Sequence, residues 1–302
     1  MKNLNDKKKQ IIIDRQNLAY RKKVKKINKS IIKSLNKEIK TFSKKIYWKS
    51  FFYISYLYKT VFFQISKKNV IENKISILIP SRSRYKKMER FLDSLKLKTK
   101  KIHRIELLLL LDNDEPELRG YLDVLDKFKE QLNIKIFTND LNTHAKRNNF
   151  LASHSTGDII FPANDDMVIE SYNWDIEIDN QTKKFHKNSP FCIWPDSGNK
   201  YPFLHCHFPI INRIWYEKLS YVASELFNFW YLDTWICDLA KRSNKFIYVK
   251  NIKIKEFNAQ ANIDEFDETY LKNIADNKME KDIDIWNNSK KIRIEDAKKL
   301  LI

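Results

Sequence analysis

The run Ile-Glu-Leu-Leu-Leu-Leu-Leu at 105–111 constrains the fold more than any other stretch of this 302-residue chain. Seven nearly pure hydrophobic residues, closed by Asp112-Asn-Asp114-Glu-Pro, suit a strand covered on both faces. Residues 74–80 (KISILIP) and 158–162 (DIIFP) read the same way, and each ends in proline. Between these strands the apolar spacing changes to that of a helix. Residues 85–97 place Met88, Phe91, Leu92 and Leu95 on one face, 117–132 are amphipathic, and 143–155 are helical up to Thr156-Gly157. A further strand is predicted at 134–137. Such alternation predicts an α/β fold with a mostly parallel, doubly wound central sheet flanked by helices. Right-handed crossovers then bring the loops after Ile79, Leu111 and Phe161 to one edge, where open sheets bind ligands. Those loops carry SRSR (81–84), DNDE (112–115) and NDD (164–166). After residue 170 the pattern is less regular. Strands are predicted at 191–194, 203–211 and 245–250, a helix at 233–242, and a charged helical tail over 267–302.

Composition excludes several classes. Only three glycines occur (Gly120, Gly157, Gly198), so neither GxGxxG nor a P-loop can be built. Three cysteines (Cys192, Cys206, Cys237) cannot all pair and form no CxxC, which suits a reducing compartment.

The net charge of +19 is concentrated at one end. Residues 1–70 hold 20 Lys+Arg against 3 Asp+Glu, whereas the remaining 232 residues hold 37 against 35. This divides the chain into a basic arm (1–70), a near-neutral body (71–260) and a tail (261–302). In the arm, Val24, Ile27, Ile31, Leu35, Ile39, Phe42 and Ile46 form one helical stripe, which runs into nine aromatics and two lysines over 46–65. Three readings stay open. A transmembrane span needs roughly 20 apolar residues with few charges, and Lys49, Lys59 and four polar residues count against it. A membrane-surface helix pairs lysines with aromatics and is drawn to anionic lipid. A solvated helix packs its aromatic end on the body or on another copy. No helix-turn-helix, zinc-finger or RNP pattern supports nucleic-acid binding. The charged first ten residues, with no apolar core after them, predict no secretory leader. The expected location is cytoplasmic, peripheral at the inner face of the membrane, with residues 1–66 touching an anionic surface.

The loops suggest chemistry. Asp165 and Asp166 are adjacent carboxylates after a strand, which repel unless a cation or donors lie between them. Hard divalent ions take such ligands together with substrate phosphates. The plain alternative is an acidic turn capping a helix from 167. Asp112 and Asp114 end another strand, within reach of a base or ribose. Arg82, Arg84 and Arg147 supply positive charge for a diphosphate where glycines are missing, unless they are solvated surface residues. Asp233 starts a helix, as N-cap or as general base for an incoming hydroxyl. His205 and His207 alternate about Cys206, so on a strand they face one side. With Cys192 or an acid they would suit zinc; otherwise they line a cleft or pack. Trp194 and Trp235 either stack on a sugar ring or belong to the core.

ISILIPSRSRYKKMERFLDSL (75–95) resembles the opening strand and helix of GT-A glycosyltransferases of the family 2 type. ELLLLLDND resembles their second strand, and NTHAKRNNFLASHSTGDIIFPANDDMVIESYNWD (142–175) their block with an Arg-Asn pair, a Gly-Asp and a DXD-like motif. FPIINRIWYEKL and FNFWYLDTWICDLAKR resemble the acceptor half. The resemblance covers roughly 74–255. It implies a GT-A, Rossmann-like fold and a metal-dependent, hexosyltransferase-like enzyme. Such an enzyme moves a sugar from a nucleotide-diphosphate donor to a hydroxyl of a surface glycan or lipid-linked saccharide, with inversion. Carried over, Pro80, Ser81, Arg84 and Asn164 line the nucleotide, Asp112 contacts base or ribose with Asp114 close by, and Arg147 approaches the diphosphate. Asp166, helped by Asp165, holds Mn²⁺ or Mg²⁺, and Asp233 is the base. Trp194, His205, His207 and Trp235 are candidate acceptor contacts. The chain departs from the family in reading NDD, in having Leu232 where many relatives carry a second acid, and in IKIKEF (252–257), where several relatives place a metal-binding His and Glu256 is the only nearby ligand type. The alternatives are a nucleotidyltransferase, which usually has a Gly-rich loop, or a catalytically silent sugar- or nucleotide-binding module with a membrane- or nucleic-acid-binding arm.

Overall fold

The computed structural model describes residues 72–257, apart from 187, 200, 201 and 203, and residues 278–301. The predicted arm over 1–70 lies outside the described residues, as does the part of the predicted tail over 261–277.

The body alternates as expected. β1 (Ile75–Pro80), α1 (Tyr85–Lys98), β2 (Ile105–Leu111), α2 (Leu118–Asp126), β3 (Asn133–Thr138), α3 (His144–His154) and β4 (Ile159–Pro162) follow in order. β1 lies between β2 and β4, with Ile75 opposite both Ile105 and Ile159, and all these pairings are parallel. β2 is buried at every position, as its unbroken apolar run requires. The chain steps outward from β1 to β3 and then returns to β4 on the other side of β1. That reversal is the switch point beside which open sheets bind ligands.

The second half adds β5 (Met167–Ile169), α4 (Trp174–Thr182), β6 (Cys192–Asp196), β7 (Ile210–Asn212), α5 (Arg213–Leu219), α6 (Leu232–Ser243) and β8 (Phe246–Glu256). The sheet order is β3-β2-β1-β4-β7-β6-β8-β5. β7 is antiparallel to both neighbours, β6 and β8 are parallel, and β5 is antiparallel to β8. The tail forms α7 (Lys278–Asn288) and α8 (Lys290–Lys299).

Several expectations change. The helix predicted over 117–132 ends at Asp126. Phe128 and Leu132 still bury themselves, but Lys127 and Phe128 donate to carbonyls three residues back and the backbone tightens into turns. The strand predicted over 203–211 shrinks to β7. Pro209 has no N–H to give a ladder, and the Cys206 amide donates to Cys237 Sγ at 3.3 Å. The helix considered from 167 is the short strand β5. α5, which was not anticipated, is capped by the Asn212 side chain, which accepts from Trp215 N at 3.2 Å.

One buried charge ties the parallel half together. Glu106 on β2 is fully buried; its Oε2 accepts from Ser76 Oγ (2.6 Å) and Thr156 N (2.9 Å), and Oε1 pairs with Lys135 at 2.6 Å. Ser76 Oγ in turn accepts from Gly157 N at 2.8 Å. A Cβ at Gly157 would lie 2.7 Å from Ser76 N, so only glycine lets this turn approach β1. Burial pushes the Glu106 carboxyl up, but Lys135, Ser76 and the Thr156 amide outweigh it and hold its pKa at about 2. A depressed carboxylate stabilises the fold above its unfolded pKa, and that contribution is lost as pH falls through the folded value. Stability should therefore drop between about pH 4.5 and about pH 2. Glu106→Gln should cost about 1–3 kcal/mol at neutral pH and flatten that acid limb in urea titrations. An unchanged limb would show that Glu106 does not carry it.

Candidate functional site

The loops after β1, β2 and β4 meet at one cleft of about 980 Å³, closed on its far side by residues 228–234. Pro80 ends β1 at its floor. Ser81 turns back, its hydroxyl bonded to Tyr121 Oη (2.6 Å) and donating to Asp165 Oδ2. Ser83 adopts φ +54°, and its amide is held by both oxygens of Glu115 at 3.1 Å. Arg84 N donates to Tyr121 Oη at 2.9 Å. A loop with no glycine is thus fixed by Glu115 from the β2–α2 connection and Tyr121 on α2.

The arginines take up acids rather than facing solvent. Arg82 bridges Asp112 Oδ2 (2.7 Å) and Asp114. Arg147 pairs with Asp112 from the other side, and its Nε donates to Leu141 O at 2.7 Å. Asp112 therefore sits in a guanidinium clamp. Arg84 Nη1 reaches Asp165 Oδ1 at 3.2 Å. The predicted nucleotide residues are thus brought together, with the basic groups already engaged by acids.

Asp165 and Asp166 are 3% and 7% exposed, and Asn164 lines the cleft beside them. β5 pairs with β8 so that Met167 lies opposite Glu256, and Phe257 N donates to Asp166 O at 2.7 Å. This ladder sets Glu256 against the acidic pair. Burial, then Asp165 and Glu256, push the Asp166 carboxyl up to about 7. Its Oδ1 is buried with no hydrogen-bond partner among the described residues. Such an oxygen among carboxylates suits a hard divalent cation, which would supply the missing positive charge. Asp165 and Asp166 offer oxygen donors of the kind Mn²⁺ or Mg²⁺ prefers, with Glu256 near enough to act on Asp166.

Asp233 lines the opposite wall at the start of α6. Its Oδ1 accepts from Thr234 N at 2.6 Å and its Oδ2 lies 2.9 Å from His205 Nε2. Burial pushes Asp233 up, but His205 and the Thr234 amide outweigh it and hold it below the usual carboxylate range. His207 is on the wall, and His205 sits behind it with the rings edge to face at 4.8 Å. The histidines converge as expected, on a turn rather than a strand. Trp194 and Trp235 are fully buried. Trp194 stacks on Phe246, and Trp235 Nε1 donates to Tyr221 Oη at 3.1 Å, so neither can stack on a sugar.

Other residues emerge that the sequence reading passed over. Phe229, Trp230 and Tyr231 form an aromatic wall; they lay in the quoted FNFWYLD but were given no role. Tyr231 holds φ +70° immediately before α6 and stacks between Phe227 and Trp286. His144 also lines the cleft, and burial with Arg147 nearby pushes it down to about 4, so it is neutral at pH 7. Asp282 on α7 is fully buried. It accepts from Asn228 N (2.8 Å), Asn228 Nδ2 (3.0 Å), Phe229 N (3.0 Å) and Trp230 N (2.9 Å). No sequence pattern announces it, because its partners are backbone groups about 50 residues away.

The parallel β3-β2-β1-β4 unit, with acidic loops at its carboxyl edge and an added antiparallel segment, is a GT-A fold. Residues 76–179 match the family model Glycosyl transferase family 2. Fold and matched segment together support a glycosyltransferase. Among solved structures, mannosyltransferase PcManGT from Pyrobaculum calidifontis, in complex with GDP-Man and Mn²⁺, is similar at TM-score 0.51 and 10% identity over 84% of each chain. S. aureus TarS 1–349 with UDP gives TM-score 0.47 and 13% identity, and this chain spans 60% of its length. GalNAc-T7 with UDP, GalNAc and Mn²⁺ gives 0.48 and 14%, over 61% of this chain and 43% of that one. No curated protein sequence matches the chain.

Asp282→Ala should release the 228–230 turn. We expect hydrogen exchange at those amides to quicken at least about tenfold while β1 and β2 stay protected. Unchanged protection at 228–230 would show that the turn holds itself.

Proposed function

We propose that the chain is a metal-dependent, inverting glycosyltransferase that takes a sugar from a nucleoside-diphosphate donor to a hydroxyl of a glycan or lipid-linked saccharide. The observation that carries this reading is the buried, unpartnered Asp166 Oδ1 beside Asp165, at the carboxyl edge of the parallel strands. Asp165, Asp166 and Glu256 would hold Mn²⁺ or Mg²⁺, which when bound neutralises charge on the departing diphosphate. Asp112, clamped by Arg82 and Arg147, faces the base or ribose with Asp114 close by. Pro80, Ser81 and Asn164 shape the floor. Arg84 and Arg147 stand where a diphosphate enters and can exchange a carboxylate for a phosphate oxygen. Asp233 is ionised at neutral pH and takes the proton from the acceptor hydroxyl, while His205 fixes its orientation. His207 and the Phe229–Tyr231 wall offer the acceptor a polar edge and an apolar platform.

Purified protein screened against nucleotide sugars with Mn²⁺ should release a nucleoside diphosphate from one donor. Release should stop with EDTA and in Asp166→Ala, and transfer should fall about 10²–10⁴-fold in Asp233→Asn. Variants matching wild type would overturn the assignment.

We also propose that residues 1–66 hold the protein to an anionic membrane surface in the cytoplasm. The support is the basic excess over 1–70 and the nine aromatics over 46–65. No helix among the described residues is long and apolar enough to cross a membrane. Deleting 1–66 should abolish sedimentation with anionic liposomes and leave the far-UV spectrum of a folded body. Undiminished sedimentation would refute the membrane-surface role.

A further inference from the structure

The cleft holds a second group of potential metal ligands, of different chemistry from the first. Asp233 and Cys237 lie one turn apart on α6 and so on one face. The turn carrying His205 and His207 crosses that face. One donor atom from each of His205, His207 and Asp233 falls within 4.8 Å of the others. The Cys237 thiol is also within hydrogen-bonding reach of His205. Two imidazoles and one carboxylate, open to a cleft on the remaining side, form a ligand set that zinc takes in open sites. Tetrahedral bonds of about 2 Å need donors about 3.3 Å apart. The 2.9 Å pair of His205 Nε2 and Asp233 Oδ2 is already that close. His207 must move in by up to about 1.5 Å to reach that spacing, and it sits on a turn with no ladder to break.

Three observations argue that the group is more than a chance cluster. First, the ion-pair partner of Asp233 among the described residues is His205, whereas Asp112 and Asp165 are paired with arginines. No guanidinium or ammonium has to be displaced; the proton that His205 Nε2 shares with Asp233 leaves as the cation enters. Second, Asn199 Nδ2 lies 2.8 Å from His207 Nε2. An amide NH₂ can only donate, so this nitrogen presents a lone pair, the form a metal requires. Asn199 is exposed and readily gives way. Third, the two acid groups of the cleft differ in softness. Asp165, Asp166 and Glu256 offer only oxygen, which suits Mg²⁺ or Mn²⁺, whereas imidazole favours zinc-class ions.

We propose that His205, His207 and Asp233 form a second divalent-cation site, selective for zinc-class ions, and that occupancy of this site shuts down transfer. An ion bound there coordinates the Asp233 oxygen that would otherwise accept the proton of the incoming hydroxyl. The binding half stands on the side chains alone; the inhibitory half rests on the proposed role of Asp233 as base.

The test uses the full chain, stripped of metal with EDTA and desalted. Zn²⁺ is titrated by calorimetry in excess Mg²⁺, so that the all-oxygen group is already filled. One zinc per chain is expected. His207→Ala and His205→Ala should each weaken binding at least about tenfold, while Asp166→Ala should leave it unchanged. Thermal melts of the metal-free variants identify any that fail to fold, and His207, half-exposed on its turn, is the safer of the two. No zinc uptake by wild type, or uptake unchanged in folded His207→Ala, overturns the site. Nucleoside diphosphate release with Mn²⁺ is then followed as zinc is added. Inhibition that excess Mn²⁺ does not relieve, and that His207→Ala shifts to at least about tenfold higher zinc, is the expected result. Zinc binding without inhibition overturns the inhibitory half. A protein that turns over no donor but still binds zinc through His207 would count against the transferase reading and leave the site standing.

Discussion

Asp166 has a buried carboxylate oxygen with no donor among the described residues, Asp165 beside it, and Glu256 opposite the next residue, Met167, on the β5–β8 ladder. Like charges taken out of water repel strongly, and the protein offsets part of that repulsion: Ser81 and Arg84 bind Asp165, and the charges of Arg84 and Lys87 act on Asp166. Much of the surrounding structure serves to hold this arrangement. Tyr121 and Glu115 pin the glycine-free loop that carries Ser81 and Arg84, and β8 extends to Glu256, opposite Met167. A site that is over-negative when empty is one in which a cation and a diphosphate bind together more favourably than either binds alone.

The two walls of the cleft are built differently. The nucleotide side grows from the rigid parallel strands, with Glu106 tying β1 to β2 through Ser76 and to the Thr156–Gly157 turn. The acceptor side is a turn and a helix start, held from outside by the tail. Asp282 fixes the backbone at 228–230, Trp286 stacks on Tyr231, and Arg293 Nε binds Asp238 on α6 at 2.9 Å. The left-handed Tyr231 is tolerated because these contacts over-determine it. Position of the proposed base therefore depends on residues far beyond the segment that matches the family model.

Local pattern made the first half legible. Unbroken apolar runs in 75–80, 105–111 and 159–162 can hardly be anything but buried strands, and their loops had to share an edge. Asp112, Asp165, Asp166 and Asp233 could be named because each follows a strand or begins a helix. The rest depended on tertiary contacts that leave no periodic trace. Trp194 and Trp235 are core because Phe246 and Tyr221 cover them, which no spacing reveals. The 203–211 stretch alternates like a strand, yet Pro209 and the Cys206–Cys237 contact turn it aside, bringing His205 to Asp233. Asp282 and the 228–230 amides are distant in sequence and meet only in the fold.

The central claim is that the acidic floor needs a divalent cation before it can accept a nucleoside diphosphate. Calorimetric titration of UDP and GDP into metal-free protein, with and without Mn²⁺, tests this most directly. The account predicts binding of one of the two that requires Mn²⁺ and is lost in Asp166→Ala. Equally tight binding in EDTA, unaffected by Asp166→Ala, would contradict it.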